Sequence, residues 1–397
     1  MCGIAGILHT DGAPVSADAL ATMLAALAHR GPDGSGTSVR GALGLGHRRL
    51  AIIDPAGGRQ PLTSMDGAIE AVVNGEIYNY RELTAELSAK GHRFATRCDS
   101  EVVVHAYAEW GDAGLERLRG MYALAIADHR RGRLLLARDP FGIKPLHWLR
   151  QGTRVAFASE LQALRTVPGL DWRLDRTAID QYLQLQYIPA PRTAFQDVSK
   201  LEPGERVAFA FAGGAMERRR HLPPAFAPEG DRPLAAWLEE AAATLDESVR
   251  AHLVSDVPFG AFLSGGVDSS LVVGAMARAL GRPVRTFSIG FADAHGAIDA
   301  VHDETRHAEA VARRWGTEHQ MELVTPASFS VLPELVRHHG EPFGDSSAVP
   351  TDAVARLARR SVAMVLSGDG ADELFAGYDS YRDWWRWLRG DGVPPLR

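Results

Sequence analysis

The two halves of this 397-residue chain follow different folding rules, and a Gly- and Pro-rich run separates them. Up to about residue 212, short apolar runs follow one another at 42–45, 68–73, 122–127, 133–137 and 155–158. Helical spacing is confined to a few segments. In 16–30, Leu20, Met23, Leu24 and Leu27 share a face and Gly31-Pro32 stops the helix. Residues 80–90 and 100–110 also fit helices. Strands in series, with helices set apart, predict sheets covered by helices rather than a strict βαβ alternation. Residues Gly213, Gly214, Pro223, Pro224, Pro228, Gly230 and Pro233 then break all periodicity. This places a linker at 213–233 between domains 1–212 and 234–397. Beyond it, a helix over 234–253 leads to an apolar strand at 257–263, a Gly- and Ser-rich loop, and an apolar helix at 271–280. A strand and turn at 284–291 follow, and the β-branched run at 362–366 reads as a buried parallel strand.

Composition narrows the function classes. Apolar content of 46% and charged content of 23% are globular values. A net charge of −6 offers no basic surface for nucleic acid. No apolar run reaches eighteen residues, so no membrane partner is expected. Two cysteines in a chain this long do not form a disulfide framework. The expectation is a soluble cytoplasmic protein with reduced thiols, Cys98 being a small buried residue. His338-His339 reads as a helix end rather than a ligand pair.

One of those cysteines is residue 2. Removal of the initiator Met would put a thiol and a free α-amine on one residue. That amine titrates near ~8 in the unperturbed case, so it can serve the thiol as a local base. Several polar clusters in the first half fall at expected turns. They are Arg30-Gly31-Pro32-Asp33, Arg48-Arg49-Leu50, Asn74-Gly75-Glu76 after a strand ending at Val73, and Asp99 before a helix. Asn-Gly after a strand is ordinarily a turn. It also offers an amide and a glycine N–H to one developing oxyanion. Arg49 has the planar fork that clamps a carboxylate. Glu76 and Asp99 suit an ammonium group.

Cys2-Gly3-Ile4-Ala5-Gly6, Arg30-Gly31-Pro32-Asp33, Arg49-Leu50-Ala51-Ile52-Ile53-Asp54, Asn74-Gly75-Glu76-Ile77-Tyr78-Asn79 and Asp99-Ser100-Glu101 resemble, in order and spacing, the glutaminase domain of class II glutamine amidotransferases. The resemblance covers roughly the first 200 residues. It implies an N-terminal-nucleophile (Ntn) hydrolase fold, an αββα sandwich, and hydrolysis of glutamine to glutamate and ammonia. It further implies that Cys2 attacks the side-chain amide while its own amine shuttles the proton. Asn74 and the Gly75 N–H would form the oxyanion hole. Arg49, Ile53, Asn74, Glu76 and Asp99 would bind glutamine, Arg49 at its carboxylate and the two acids at its α-amino group.

In the second half, Ser264-Gly265-Gly266-Val267-Asp268-Ser269-Ser270 lies between a strand and a helix, where backbone N–H groups make an anion site. It lacks the Gly-Lys-Ser/Thr of a Walker A loop. It resembles the pyrophosphate loop (PP-loop) of N-type ATP pyrophosphatases, in an adenine-nucleotide α-hydrolase-like parallel-sheet domain. The strand at 362–366 runs into Ser367-Gly368-Asp369-Gly370-Ala371-Asp372-Glu373, acidic residues at a strand's carboxyl end that suggest Mg²⁺. Both halves together resemble the glutamine-hydrolysing asparagine synthetase family. That implies an α/β two-domain ligase using ATP and Mg²⁺, which activates a carboxylate, most readily aspartate, as an acyl-adenylate. Ammonia travelling through the interior from the first site then displaces AMP. The resemblance assigns ATP to Leu263, Ser264, Gly265, Gly266, Asp268, Ser269, Ile289, Ser367 and Gly368, Mg²⁺ to Asp268 and Asp372, and acid/base catalysis to position 369.

Two departures accompany this resemblance. Position 369 is Asp where familiar members carry Glu, so a different acceptor, such as one in polysaccharide biosynthesis, stands as an alternative. The family's Arg-x-Pro-Phe-Leu-Asp segment and later phosphate-contacting Lys are also absent. The second domain is therefore expected to be partial, with Trp384, Trp385 and Trp387 as one side of a packing surface. The corresponding expectation is a glutaminase-only or inactive fragment, with glutamine hydrolysed and no amide formed. Oligomeric state is left open, a homodimer being one option.

Overall fold

The helical face carrying Leu20, Met23 and Leu24 forms a helix over Ala17–Ala26, begun by Ser16, whose Oγ accepts the Ala19 N–H at 3.3 Å. This is the ordinary N-cap device of a hydroxyl side chain. The computed structural model that shows it describes residues 1–221, 230, 232–293 and 304–390. Of the expected linker, residues 222–229 and 231 lie outside the described residues. Two compact units divide the chain: Met1–Gly230 with Val331–Ser346, and Asp231–Ser330 with Ser347–Arg397.

The first unit contains twelve strands among its described residues: β1 (Gly3–His9), β2 (Gly34–Arg40), β3 (Leu43–Arg49), β4 (Leu62–Thr63), β5 (Ile69–Ile77), β6 (Gly120–Asp128), β7 (Arg133–Arg138), β8 (His147–Gln151), β9 (Arg154–Ala158), β10 (Val198–Lys200), β11 (Glu205–Ala210) and β12 (Met216–Arg220). They form two six-stranded antiparallel sheets, ordered β10-β8-β9-β1-β3-β2 and β12-β11-β7-β6-β5-β4. Alternate side chains of each sheet meet between them, where Ile4, Leu8, Leu45, Val72, Ala125, Leu136, Phe157 and Phe209 are buried together. Helices Ala17–Ala26 and Leu161–Leu164 cover the outer face of the first sheet. Helices Tyr80–Ala89 and Glu101–Trp110 cover the second. This is the αββα sandwich.

One boundary departs from the sequence reading. Asn74-Gly75-Glu76 does not follow β5 as a turn. All three residues lie inside the strand, opposite Ala123, Tyr122 and Met121 of β6. The long complementary run of β6 outweighs the local turn preference of Asn-Gly. The first unit also contains a segment from far along the chain. Helix Leu332–His339 ends at Gly340, whose φ of 73° suits a residue without Cβ. Just beyond it, the Glu341 carboxylate accepts the Ala194 N–H at 3.0 Å and pairs with Lys200 Nζ at 2.5 Å. His338 and His339 close that helix on different rings, those of His29 and Phe343.

The second unit is built on a parallel sheet of β13 (Phe259–Phe262), β14 (Arg285–Phe291), β15 (Glu318–Val324) and β16 (Met364–Leu366), in the order β15-β14-β13-β16. Helices pack on both faces, around Val249, Leu263, Val273 and Ala308 on one side and Phe287, Val354 and Leu357 on the other. The helix expected at 271–280 begins earlier, at Val267, so Asp268, Ser269 and Ser270 occupy its first turn. Trp384, Trp385 and Trp387 lie exposed on helix Asp379–Leu388.

Phe157 is fully buried between the two sheets, against the Cα of Gly6, where an added Cβ would overlap its ring. Phe157→Ala should destabilise the first unit by about 3–5 kcal/mol. Denaturant unfolding followed on the first unit checks this, with the midpoint falling and the slope unchanged.

Candidate functional site

The expected residues gather in two groups, one in each unit. In the first, β5 places its side chains by alternation. Asn74 and Glu76 share the inter-sheet face with Val72, while Val73 and Ile77 face the covering helices. Asn74 is 1% exposed, and its Nδ2 has no hydrogen-bond partner among the described residues. A buried donor without a partner costs about 1–3 kcal/mol, so this amide marks a place for a ligand acceptor.

Gly75 adds a main-chain donor. Opposite it, Tyr122 turns both hydrogen-bonding groups toward Asp139: its carbonyl accepts the Asp139 N–H at 2.8 Å and its N–H donates to Oδ2 at 3.3 Å. Gly75 and Tyr122 are therefore a non-hydrogen-bonded pair. The Gly75 N–H faces the other edge of β5. On that edge Ala71 lies opposite Leu62 of β4, and the Ile77 N–H donates to Asp99 Oδ2 at 2.8 Å. Gly75 is also the only residue type that fits, since a Cβ there would overlap the Met121 carbonyl.

Cys2 enters β1 beside the end of β3. The Leu50 N–H donates to its Sγ at 3.4 Å, and Arg30 Nε holds its carbonyl at 2.9 Å. Burial raises the thiol pKa, while the Leu50 N–H and Arg49 act in the opposite direction. The thiol therefore needs a base to become a nucleophile. Met1 is present and 55% exposed, with its sulfur 3.8 Å from Arg30 Nη2 and 3.6 Å from Lys144 Nζ. Asp33 supports the same corner by accepting the Ala51 N–H at 2.9 Å.

Two acids complete the first group. Burial and the neighbouring Asp99 push the Glu76 pKa up to about 7, and burial raises Asp99 as well. Two partly desolvated carboxylates that repel one another form a site for a cation. Arg49 is otherwise occupied. Its Nη2 donates to the carbonyls of Ile53 at 3.0 Å and Asp54 at 2.8 Å, and its Nη1 to those of Pro55 and Gly57. The Asp54 carboxylate ties this loop to Arg97 N at 2.9 Å. Lys144, buried and with its pKa lowered by desolvation, shares the field of Glu76 and Cys2. The sequence reading assigned it no role, and no local pattern distinguishes it.

In the second unit, β13 runs into Leu263, whose N–H donates to the Phe287 carbonyl at 2.9 Å. Ser264 Oγ accepts the Gly266 N–H at 3.2 Å and lies 3.0 Å from Ser269 Oγ. Gly265 has φ 86°, and a Cβ there would overlap Ala308 N. Ala261 pairs with Leu366, so the loop after β16 emerges beside this one. A Cβ on Gly368 would lie 2.8 Å from Ser269 N and 2.9 Å from Asp268 Cβ. Ser367 Oγ donates to Asp369 Oδ2 at 2.9 Å. Ile289, on β14, packs against the Phe287–Leu357 cluster. Among the described residues no cluster of three or more acids, histidines or cysteines is poised for a metal. Mg²⁺ usually takes only one or two carboxylates and completes its shell with phosphate and water; Asp268 lies in the first turn of helix Val267–Leu280 and Asp372 in that of the short helix Ala371–Phe375.

Residues 1–220 match the family model described as a glutamine amidotransferase domain, and residues 240–396 match that of asparagine synthase. The chain is 37% identical over 390 residues to asparagine synthetase [glutamine-hydrolyzing] 1 of Bacillus subtilis, covering 96% of this chain and 60% of that protein. It is 40% identical over 410 residues to a putative asparagine synthetase of Mycobacterium tuberculosis, covering 96% and 61%. A putative asparagine synthetase of Methanocaldococcus jannaschii is 33% identical over 410 residues, covering 97% and 77%. The chain belongs to the glutamine-hydrolysing asparagine synthetase family. It spans about 60% of the length of the first two relatives.

The acid pair generates a pH prediction. Glu76 is protonated below about 7 and ionised above it. An α-ammonium partner favours the ionised form, so KM for glutamine should rise as pH falls through 7, by up to ~10-fold per unit. Glu76→Gln should raise KM and flatten that dependence. Initial rates of glutamate release between pH 5.5 and 8.5 test both.

Proposed function

We propose that the protein performs glutamine-dependent, ATP-driven amidation of a carboxylate, with aspartate as the acceptor. The first unit supplies ammonia. Cys2, freed of Met1, passes its thiol proton to its own α-amine and attacks the glutamine side-chain amide. Negative charge then develops on the amide oxygen, received by Asn74 Nδ2 and the Gly75 N–H. Collapse expels ammonia and leaves a thioester, which water hydrolyses to glutamate. The observation that carries this reading is the pair of adjacent donors on β5. One is a buried amide without a partner and the other a main-chain N–H facing an open strand edge. Glu76 and Asp99 take the substrate's ammonium. Arg49 takes its carboxylate by exchanging some of its loop carbonyls, while Ile53 lies in the loop it holds.

The second unit activates the acceptor. ATP phosphates sit at Ser264, Gly265, Gly266 and Ser269, where the first-turn N–H groups of helix Val267–Leu280 face the loop. Leu263 and Ile289 border the adenine, and Ser367 and Gly368 close the site from the neighbouring strand. Mg²⁺, held through Asp268 and Asp372, would supply charge neutralisation at the phosphates. Carboxylate attack on the α-phosphate expels pyrophosphate and forms an acyl-adenylate. Ammonia then displaces AMP, and Asp369 takes the proton. The support is the Gly368 backbone pressed on Asp268 and Ser269, which joins loops about a hundred positions apart. A cytoplasmic location with reduced Cys2 and Cys98 fits this chemistry, as does a homodimer.

The test incubates the chain with Mg-ATP, aspartate and either glutamine or ammonia, assaying glutamate, AMP and asparagine separately. Glutamate release should depend on glutamine alone, and AMP release on aspartate. Cys2→Ala, or a tag that leaves residues ahead of Cys2, should lower glutamate release by orders of magnitude and spare ammonia-dependent AMP release. Undiminished glutaminase in both variants overturns the nucleophile. Glutamate without AMP reduces the activity to the first unit.

A further inference from the structure

The open edge at Gly75 is not simply left over where β4 ends. The β4–β5 register pairs Leu62 with Ala71 and Thr63 with Glu70. Continued backward, it would set Gln60 opposite Val73 and Gly58 opposite Gly75. A main-chain strand over 58–60 would then cover the Gly75 N–H. The chain leaves the ladder instead, and the Gln60 side chain takes the place of one strand residue. Its Oε1 accepts the Val73 N–H at 2.6 Å, and its Nε2 donates to the Val73 carbonyl at 3.1 Å. The same carbonyl receives Nε2 of His47, from β3, at 3.2 Å. His47 is buried and its pKa is pushed down to about 3, chiefly by desolvation, so it stays neutral and serves as a donor.

Gln60 is itself fixed. It is buried, and its carbonyl passes so close to Gly36 of β2 that a Cβ there would overlap it. The main chain of Val73 is thus bonded on its N–H and C=O by one side chain and on its C=O by a second. Val73 immediately precedes Asn74. Holding the Val73 carbonyl sets the plane of the Val73–Asn74 peptide, from which the Asn74 side chain and, one peptide further on, the Gly75 N–H are carried.

We propose that Gln60 and His47 are positioning residues for the oxyanion site, with the Gln60 amide ending the sheet edge at Val73, two residues short of Gly75, and thereby keeping that donor available. The proposal rests on the reading of Asn74 and Gly75 as oxyanion donors. Displacements of about 1 Å at such a site cost on the order of 10²-fold in rate.

The test uses the full chain and compares Gln60→Met, Gln60→Glu and Asn74→Ala. Three quantities are read: kcat and KM for glutamine, inhibition by glutamate, and inhibition by glutamate γ-semialdehyde. The aldehyde adds to the Cys2 thiol. A C–S bond forms, the carbonyl π pair becomes an alkoxide, and the thiol proton moves to the α-amine, so its affinity reports the oxyanion donors. Glutamate reports binding alone. Gln60→Met should lower kcat ~10- to 10²-fold, weaken the aldehyde by the same factor, and leave KM and glutamate inhibition within about threefold. Gln60→Glu restores both bonds only while its carboxyl is protonated, so its kcat relative to the parent should fall as pH rises. That pH trend stands as the test if Gln60→Met does not fold.

An unchanged kcat in Gln60→Met, or equal losses in aldehyde and glutamate binding, overturns the positioning role. A pH-independent kcat ratio for Gln60→Glu does the same. Full activity and full aldehyde affinity in Asn74→Ala would instead overturn the oxyanion reading beneath it.

Discussion

In the proposed mechanism, a single main-chain donor on the edge of β5 organises the first unit's chemistry. Gly75 can present its N–H because three neighbours are otherwise engaged. Tyr122 turns to Asp139, Ile77 is taken by Asp99, and Val73 is closed by Gln60. The two-sheet sandwich makes the arrangement rigid, since β5 is held by β6 along its whole length. A donor that cannot relax toward another partner keeps its dipole aimed at the place where charge develops, and that is the condition under which such a dipole is most effective.

Much of this was legible in the sequence, and the misses have physical causes. Cys2, Asn74, Gly75, Glu76 and Asp99 could be singled out by residue type and order, and the structure gathers them in one unit. The end of β5 was misplaced because Asn-Gly is a strong local turn signal, while its pairing with Tyr122 and Met121 depends on residues more than forty positions away. Gln60, His47 and Lys144 had no signature. Each makes its contacts only once the chain has folded, and a buried glutamine mimicking a strand looks like any loop glutamine. Arg49 was legible as a fork for two acceptors, but its acceptors here are loop carbonyls. In the second unit, Asp268 and Ser269 read as loop because Gly266 precedes them, whereas that glycine is the cap of their helix.

The second unit illustrates a topological constraint. Its strand order runs outward from β13 through β14 to β15 and then returns to the opposite side with β16. β13 and β16 are therefore parallel neighbours at the point where the strand order reverses, and their outgoing loops leave at the same carboxyl end of the sheet. Both glycine-bearing loops emerge there, and Gly368 permits their backbones to meet.

The Glu341 contact has a consequence for how the protein is made. Its carboxylate closes on Ala194, 147 residues earlier in the chain, and on Lys200. At a synthesis rate of about 5–20 residues per second, that stretch takes on the order of ten seconds to appear. During that time the Lys200 amine and the Ala194 N–H must remain hydrated. The first half therefore leaves the ribosome as a sandwich with one corner unfinished, and the segment that completes it arrives only after the loop at 264–270 has been translated.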